Sequence, residues 1–206
     1  MSTSFKWGIL GASKFALEQM APAIHAAKGN SLVALATKDK EKANKFLALS
    51  DSMKIFNDYS GLLEDPDINA VYIPLPNHIH IEWAMRCLKA GKHVLCEKPI
   101  SMVAEEIDRL IELRDETQLL VAEAYMVVHH PQWLLVKDFV DTGKIGQLVQ
   151  IDGVFSYNNA DDPMNIRNQA KYGGGGIPDI GVYPYGVSRF VTGCEPPKIL
   201  FAGIVF

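Results

Sequence analysis

Five short apolar runs, spaced by stretches of helical periodicity, constrain this chain more than any other feature. Trp7–Leu10, Leu32–Ala36, Ala70–Ile73, His93–Cys96 and Leu119–Ala122 each read as a buried strand. Helical patterns run from about Lys14 to Ala27, onward from Lys40, over His78–Lys89, and over Ala104–Glu116 with Ile107, Leu110, Ile111 and Leu113 on one face. Gly91 stands where the third of these must stop, a place for positive φ. Strand, helix and strand in this alternation build a parallel α/β sheet wound by right-handed crossovers, a doubly wound Rossmann-type domain. The pattern changes after Tyr125, so a boundary is expected near Ala124, with residues 1–124 forming the first domain and 125–206 the start of a second. There, Pro131–Asp141 reads as a helix and Leu148–Tyr157 as a long strand. Asn158–Gly176 reads as a loop, Ile180–Phe190 as a helix and Ile199–Phe206 as a last apolar strand. With only two strands after Ala124, and with so apolar a final run, the chain is expected to stop inside its second domain.

A formal net charge of −4, with no basic stripe, gives no footprint for nucleic acid. The apolar runs fall far short of the roughly 20 residues that a membrane span needs, and MSTSFKWGIL lacks the pattern of a signal peptide. Cys87, Cys96 and Cys194 are odd in number and widely spaced, which suits reduced thiols in a cytoplasmic protein. His129 and His130 are adjacent and have no third ligand at a suitable spacing, so no metal site is expected.

The first strand runs into Gly11-Ala12-Ser13-Lys14-Phe15-Ala16. A dinucleotide turn needs a first glycine for the sharp bend, a small residue where backbone meets pyrophosphate, and a third small residue for close helix–strand packing. Gly11 and Ala16 meet the first and third needs. Ser13 replaces the middle glycine, and its hydroxyl can donate to a phosphate oxygen. Gly11, Ser13, Lys14 and Phe15 are therefore candidate cofactor contacts. The plain alternative is an ordinary strand–turn–helix. The second strand ends Leu35-Ala36-Thr37-Lys38, without the carboxylate that commonly binds the ribose of NAD. Thr37 and Lys38 offer a hydroxyl and a cation where NADP carries its extra phosphate, which favours NADP and leaves NAD as the lesser choice. Asp39 reads as a helix N-cap.

Three further segments carry a resemblance. They are YIPLPNHIHIEWAMRCLKAGKHVLCEKP over Tyr72–Pro99, EAYMVVHHPQ over Glu123–Gln132, and GGGGIPDIGVYPYGVSRFVTG over Gly173–Gly193. With WGILGASKFA they resemble the Gfo/Idh/MocA oxidoreductases, named after glucose–fructose oxidoreductase and inositol dehydrogenase. Glu97-Lys98-Pro99 and the Asp179-x-Gly181-x-Tyr183 spacing are the most specific parts. Tyr183, where other members carry His, resembles the aldose- and dihydrodiol-oxidising branch. The resemblance implies a second domain with a mostly antiparallel sheet that binds substrate and joins subunits, so a homo-oligomer is expected. It implies that Lys98 reaches the substrate hydroxyl, that Pro74, Asn77 and His80 lie beside the nicotinamide, and that Glu97 contacts ribose. For Asn77 and His80 the alternatives are a capping Asn and a first-turn His.

Independently of any family, Lys98 follows a strand end, where doubly wound sheets bind ligands, and the proline after it restricts its backbone. Asp179 and Tyr183, four apart, share one helix face. A free tyrosine, with a pKa of about 10, is a weak base, and a neighbouring lysine lowers that value. Tyr183 is thus the candidate base, with Asp179 orienting Lys98 or the substrate. The expected activity is hydride transfer between NADP and a secondary alcohol of a sugar, polyol or dihydrodiol. A cofactor-binding sensor on the same fold is the alternative, although a sensor does not need Lys98, Asp179 and Tyr183 together.

The strand-end reading generates a first prediction. NADP should bind more tightly than NAD, and Lys38→Ala should weaken NADP alone, by at most about 1.5–3 kcal/mol. Parallel calorimetric titrations check this, and equal affinities in the unaltered protein would contradict it.

Overall fold

The computed structural model describes residues 4–50, 52–196 and 198. Six strands form one parallel sheet in the order β3-β2-β1-β4-β5-β6, the doubly wound topology. They are β1 (Phe5–Leu10), β2 (Asn30–Ala36), β3 (Lys54–Phe56), β4 (Ala70–Ile73), β5 (His93–Glu97) and β6 (Val121–Ala124). The helices between them are α1 (Ala21–Ala26), α2 (Lys40–Leu47), α3 (Tyr59–Glu64), α4 (His80–Lys89) and α5 (Ala104–Thr117). A π-helical stretch, Ala16–Met20, leads into α1.

Alternation along each strand sends side chains to two cores. In β4, Val71 and Ile73 face the core that holds Ala84, Leu88 and Leu110 of α4 and α5. Tyr72 faces the other, with Ile24 of α1 and Phe46 of α2. Burial on both faces is what a parallel sheet requires, and it explains strands that are apolar throughout. Local signals then set the joints. Asp39 caps α2 by accepting the Lys42 N–H at 3.0 Å, as expected, and Asp58 caps α3 through the Gly61 N–H at 2.8 Å. Lys92, nearly buried, donates to the carbonyls of Asp65 and Ile68 and closes the turn after α3.

Several expectations are corrected. β3 and α3 were not anticipated, because β3 is three residues long and only Ile55 and Phe56 in it are apolar. β6 lies two residues further on than Leu119–Ala122, since Leu120 is largely exposed and pairing with β5 begins at Val121. Leu148–Tyr157 forms no strand. Val149 and Val154 are about 90% exposed, and among the described residues no partner strand supplies backbone hydrogen bonds there. No strand follows β6 among the described residues, and the expected strand Ile199–Phe206 lies outside them. The second half is instead built on α6 (Pro131–Asp141) and α7 (Val182–Thr192), which pack on each other. Short turns at Ile166–Asn168, Ala170–Tyr172 and Ile177–Gly181 punctuate the loop between them. No helix among the described residues is long and apolar enough to cross a membrane.

Gly11 makes the bend after β1 at φ +89°, and a Cβ there would lie 2.8 Å from Leu75 Cδ2. Gly11→Ala should therefore cost about 1–3 kcal/mol of stability, which urea denaturation measures. An unchanged midpoint would show that the turn relaxes freely.

Candidate active site

The sheet reverses its winding between β1 and β4, and there the chain opens a cleft of about 750 Å³ at the carboxyl ends of the strands. Its floor is the part of β5 and β6 that presents Leu95, Ala122 and Ala124. One wall is the turn after β1, with Ser13, Lys14 and Phe15. Pro74 and Asn77 follow β4, and Glu97 and Lys98 follow β5. The opposite wall comes from the second half of the chain, with Phe155, Tyr157, Arg167, Asp179 and Tyr183.

Lys98 joins the two walls. Its Nζ donates to the backbone carbonyl of Asp179, lies 3.3 Å from Asp179 Oδ1, and stands 4.8 Å from the centre of the Tyr183 ring. The Lys98 and Asp179 side chains are only 14% and 13% exposed, so their attraction is weakly screened. Asp179 accepts two more donors, the Tyr157 hydroxyl on Oδ2 and Arg167 Nε on Oδ1 at 3.2 Å. Burial alone would raise the Asp179 pKa. The Tyr157 hydrogen bond and the charges of Lys98 and Arg167 outweigh it and hold the carboxyl below its ordinary range.

Tyr183 departs from expectation. Lys98 faces its ring and is held by Asp179, while burial and the negative charges of Glu97 and Asp179 raise the phenol pKa. Tyr183 is therefore held protonated, where a lysine-lowered value was anticipated. Two aromatic contacts fix its ring: Tyr125 stacks at 5.7 Å between centres and Phe155 approaches edge-on at 5.2 Å. Tyr125 anchors itself by donating toward the carbonyls of Val182 and Tyr183, and its own phenol is pushed up to about 12 by burial first, then by Tyr183 and Glu123.

The remaining expected residues divide. Glu97 is half-buried and accepts the Tyr72 hydroxyl at 2.6 Å; desolvation raises its carboxyl pKa against that bond and the Lys98 charge. Asn77 lines the cleft, but its amide donates to the Gly173 carbonyl at 2.9 Å and so ties the two walls together. Ser13 Oγ accepts the Ala16 N–H at 3.0 Å, capping the turn. Gly11, Thr37 and Lys38 sit at the same strand ends without lining the cleft, and Lys38 is exposed. His80 does not reach the cleft. It is fully buried, with Nδ1 2.7 Å from the Pro99 carbonyl and Nε2 2.6 Å from the Leu75 carbonyl. It pins the two segments that follow β4 and β5 to each other, a structural role in place of the expected cofactor contact.

Tyr125, Phe155, Tyr157 and Arg167 escaped the sequence reading. Tyr157 and Arg167 lie far from Asp179 in the chain and on irregular backbone, where no periodicity marks a facing side. Aromatic residues two apart at Phe155 and Tyr157 were the one available hint.

Comparison with known proteins agrees with this fold. Residues 5–125 match the oxidoreductase family with NAD-binding Rossmann fold, and residues 133–203 match the GFO/IDH/MocA C-terminal domain. An uncharacterized oxidoreductase of Rhizobium meliloti is 43% identical over 94% of this chain and 58% of its own length. A dTDP-3,4-didehydro-2,6-dideoxy-alpha-D-glucose 3-reductase of Saccharopolyspora spinosa is 40% identical over 88% of the chain and 54% of its own. The crystal structure of a 3-ketoreductase from Actinomadura kijaniata, in complex with NADP and TDP-benzene, superposes with a TM-score of 0.80. It is 34% identical and covers 92% of this chain and 57% of that one. The chain thus spans little more than half the length of the relatives it matches. With a family model covering the sheet and a second covering most of the opposite wall, the chain belongs to the GFO/IDH/MocA oxidoreductase family.

Proposed function

We propose that the chain is the cofactor-binding and catalytic part of an NADP-dependent oxidoreductase that interconverts a ketone and a secondary alcohol on a sugar-type substrate, with Tyr183 as proton donor in reduction. The observation that carries this reading is the convergence of Lys98, Asp179 and Tyr183 on one cleft at the carboxyl edge of the sheet. A sensor has no use for that trio.

The chain's residues fit a dinucleotide. Gly11 keeps the turn after β1 clear of side chain, and Ser13, Lys14 and Phe15 border the cleft at the start of the following helix, where N–H groups favour phosphate. The Asp39 carboxylate is spent on capping α2, which leaves Thr37 and the exposed Lys38 at the end of β2 and supports NADP over NAD. When bound, the nicotinamide supplies or accepts the hydride. The protein's part is the proton and the charge. Tyr183, half-buried and with its phenol pKa raised, donates its O–H to the carbonyl oxygen, and the Lys98 ammonium offsets the negative charge that develops there. Asp179 aims Lys98. In the oxidative direction the same oxygen of Tyr183 takes the proton back, so oxidation of an aldose or dihydrodiol is this chemistry reversed. The names of the Saccharopolyspora and Actinomadura relatives, a 3-reductase and a 3-ketoreductase, support a sugar ketone as the group reduced.

The raised Tyr183 pKa fixes the pH dependence. The acid form persists below that pKa, so the reduction rate should stay level through neutral pH. It should fall only as pH climbs through a value above the ordinary tyrosine range. Tyr183→Phe should keep NADPH affinity and lower kcat by roughly 10²–10⁴-fold. Following the absorbance of reduced cofactor against keto sugars, free and nucleotide-linked, tests both statements, and full turnover by Tyr183→Phe would remove the assignment.

A further inference from the structure

We propose that Tyr157 and Arg167 are positioning residues: together they grip the Asp179 carboxylate and, through it, set where the Lys98 ammonium stands in the cleft. The inference rests on the oxidoreductase reading for its catalytic meaning, but its geometry stands alone. Asp179 Oδ2 is taken by the Tyr157 hydroxyl, and Oδ1 is shared between Arg167 Nε at 3.2 Å and Lys98 Nζ at 3.3 Å. Three donors from three separate segments thus occupy the carboxylate: Lys98 follows β5, Tyr157 lies on extended chain and Arg167 on the turn at Ile166–Asn168. Among the described residues, those three and Tyr183, one turn along, are the ionisable groups that face Asp179.

An acceptor shared by two cations binds each less tightly than it would bind one. Arg167 therefore keeps Asp179 from drawing Lys98 fully away from the cleft. Tyr157 fixes the carboxylate plane by holding the other oxygen, so that Oδ1 points at Lys98. Glycine supports the arrangement at Gly174, where a Cβ would lie 2.4 Å from the Ile166 carbonyl and 2.5 Å from that of Arg167. The glycine run packs directly against the turn that carries Arg167, and any larger residue would displace that turn.

Removing either donor should raise the pH at which Asp179 takes up a proton. Carbon-13 NMR of the side-chain carboxyls, in the full chain, reads this directly, with the Asp179 signal assigned by its loss in Asp179→Asn. In Tyr157→Phe and in Arg167→Gln the midpoint should rise by roughly one pH unit or more, while Arg167→Lys, which keeps the cation, should fall between them and the unaltered protein. In turnover, the acid limb of the kcat profile should move up by the same amount. KM for NADPH and the thermal midpoint should stay in place, which a merely structural loss would not leave unchanged. Unmoved Asp179 midpoints in both variants would overturn the proposal, as would an acid limb that moves while the midpoint does not. Should Tyr157→Phe fail to fold, the Arg167→Gln and Arg167→Lys pair decides alone. Absence of any reductase activity in the unaltered protein would remove the function proposed above, and the NMR midpoints would still decide the carboxylate grip.

Discussion

A parallel sheet has to bury both of its faces, because its strands are joined by crossovers and are apolar on either side. In this chain α3, α4 and α5 cover one face from end to end, while α1 and α2 pack on the other face around β1, β2 and Tyr72 of β4. Over β5 and β6 the second face is left to Leu95, Ala122 and Ala124. The cleft lies over that part of the face, closed from the far side by the segment that begins at α6. The position of the candidate active site follows from the winding of the sheet, before any catalytic side chain is considered.

Electrostatics inside the cleft then depend on how few charges are present and how well each is matched. Lys98 and Asp179 are each about one-seventh exposed, and neither would be tolerated there alone. Together they bridge the sheet to the opposite wall, and the Asn77–Gly173 hydrogen bond adds a neutral tie beside them. Glu97, half-buried and tied to Tyr72, contributes a further negative charge that opposes ionisation of Tyr183. A tyrosine with a raised pKa in such a place is suited to donate a proton, whereas the lysine-activated base expected from the sequence would need the cation at the hydroxyl.

The second half of the chain shows how a site can rest on irregular backbone. Tyr157 lies outside any helix or strand and Arg167 on a three-residue turn, and both are held by the carboxylate they share and, at Arg167, by glycines that admit close backbone approach. His80 illustrates the opposite case. Its motif suggests cofactor contact, yet the ring is enclosed, with both nitrogens facing carbonyls, and it works by joining the loops that carry Pro74 and Lys98.

Much of the fold was legible in the sequence because its determinants are local. Apolar runs of four or five residues, Gly11 at the first bend and Asp39 ahead of α2 each act within a few positions, and they mark five of the six strands and the helices between them other than α3. Lys98, Asp179 and Tyr183 were legible as candidates because a strand end and an i, i+4 spacing put them where chemistry could occur. What only the tertiary structure decided is everything that depends on chain segments meeting. β3 became a strand because β2 offered it an edge, and Leu148–Tyr157 did not because no described neighbour did. The Tyr183 pKa is raised by burial and by the charges of Glu97 and Asp179, which come from other elements, and Asp179 gained Tyr157 and Arg167 as partners from 22 and 12 residues away. Periodicity records what a residue faces within its own element, and pKa values and ion pairs are set by what arrives from another.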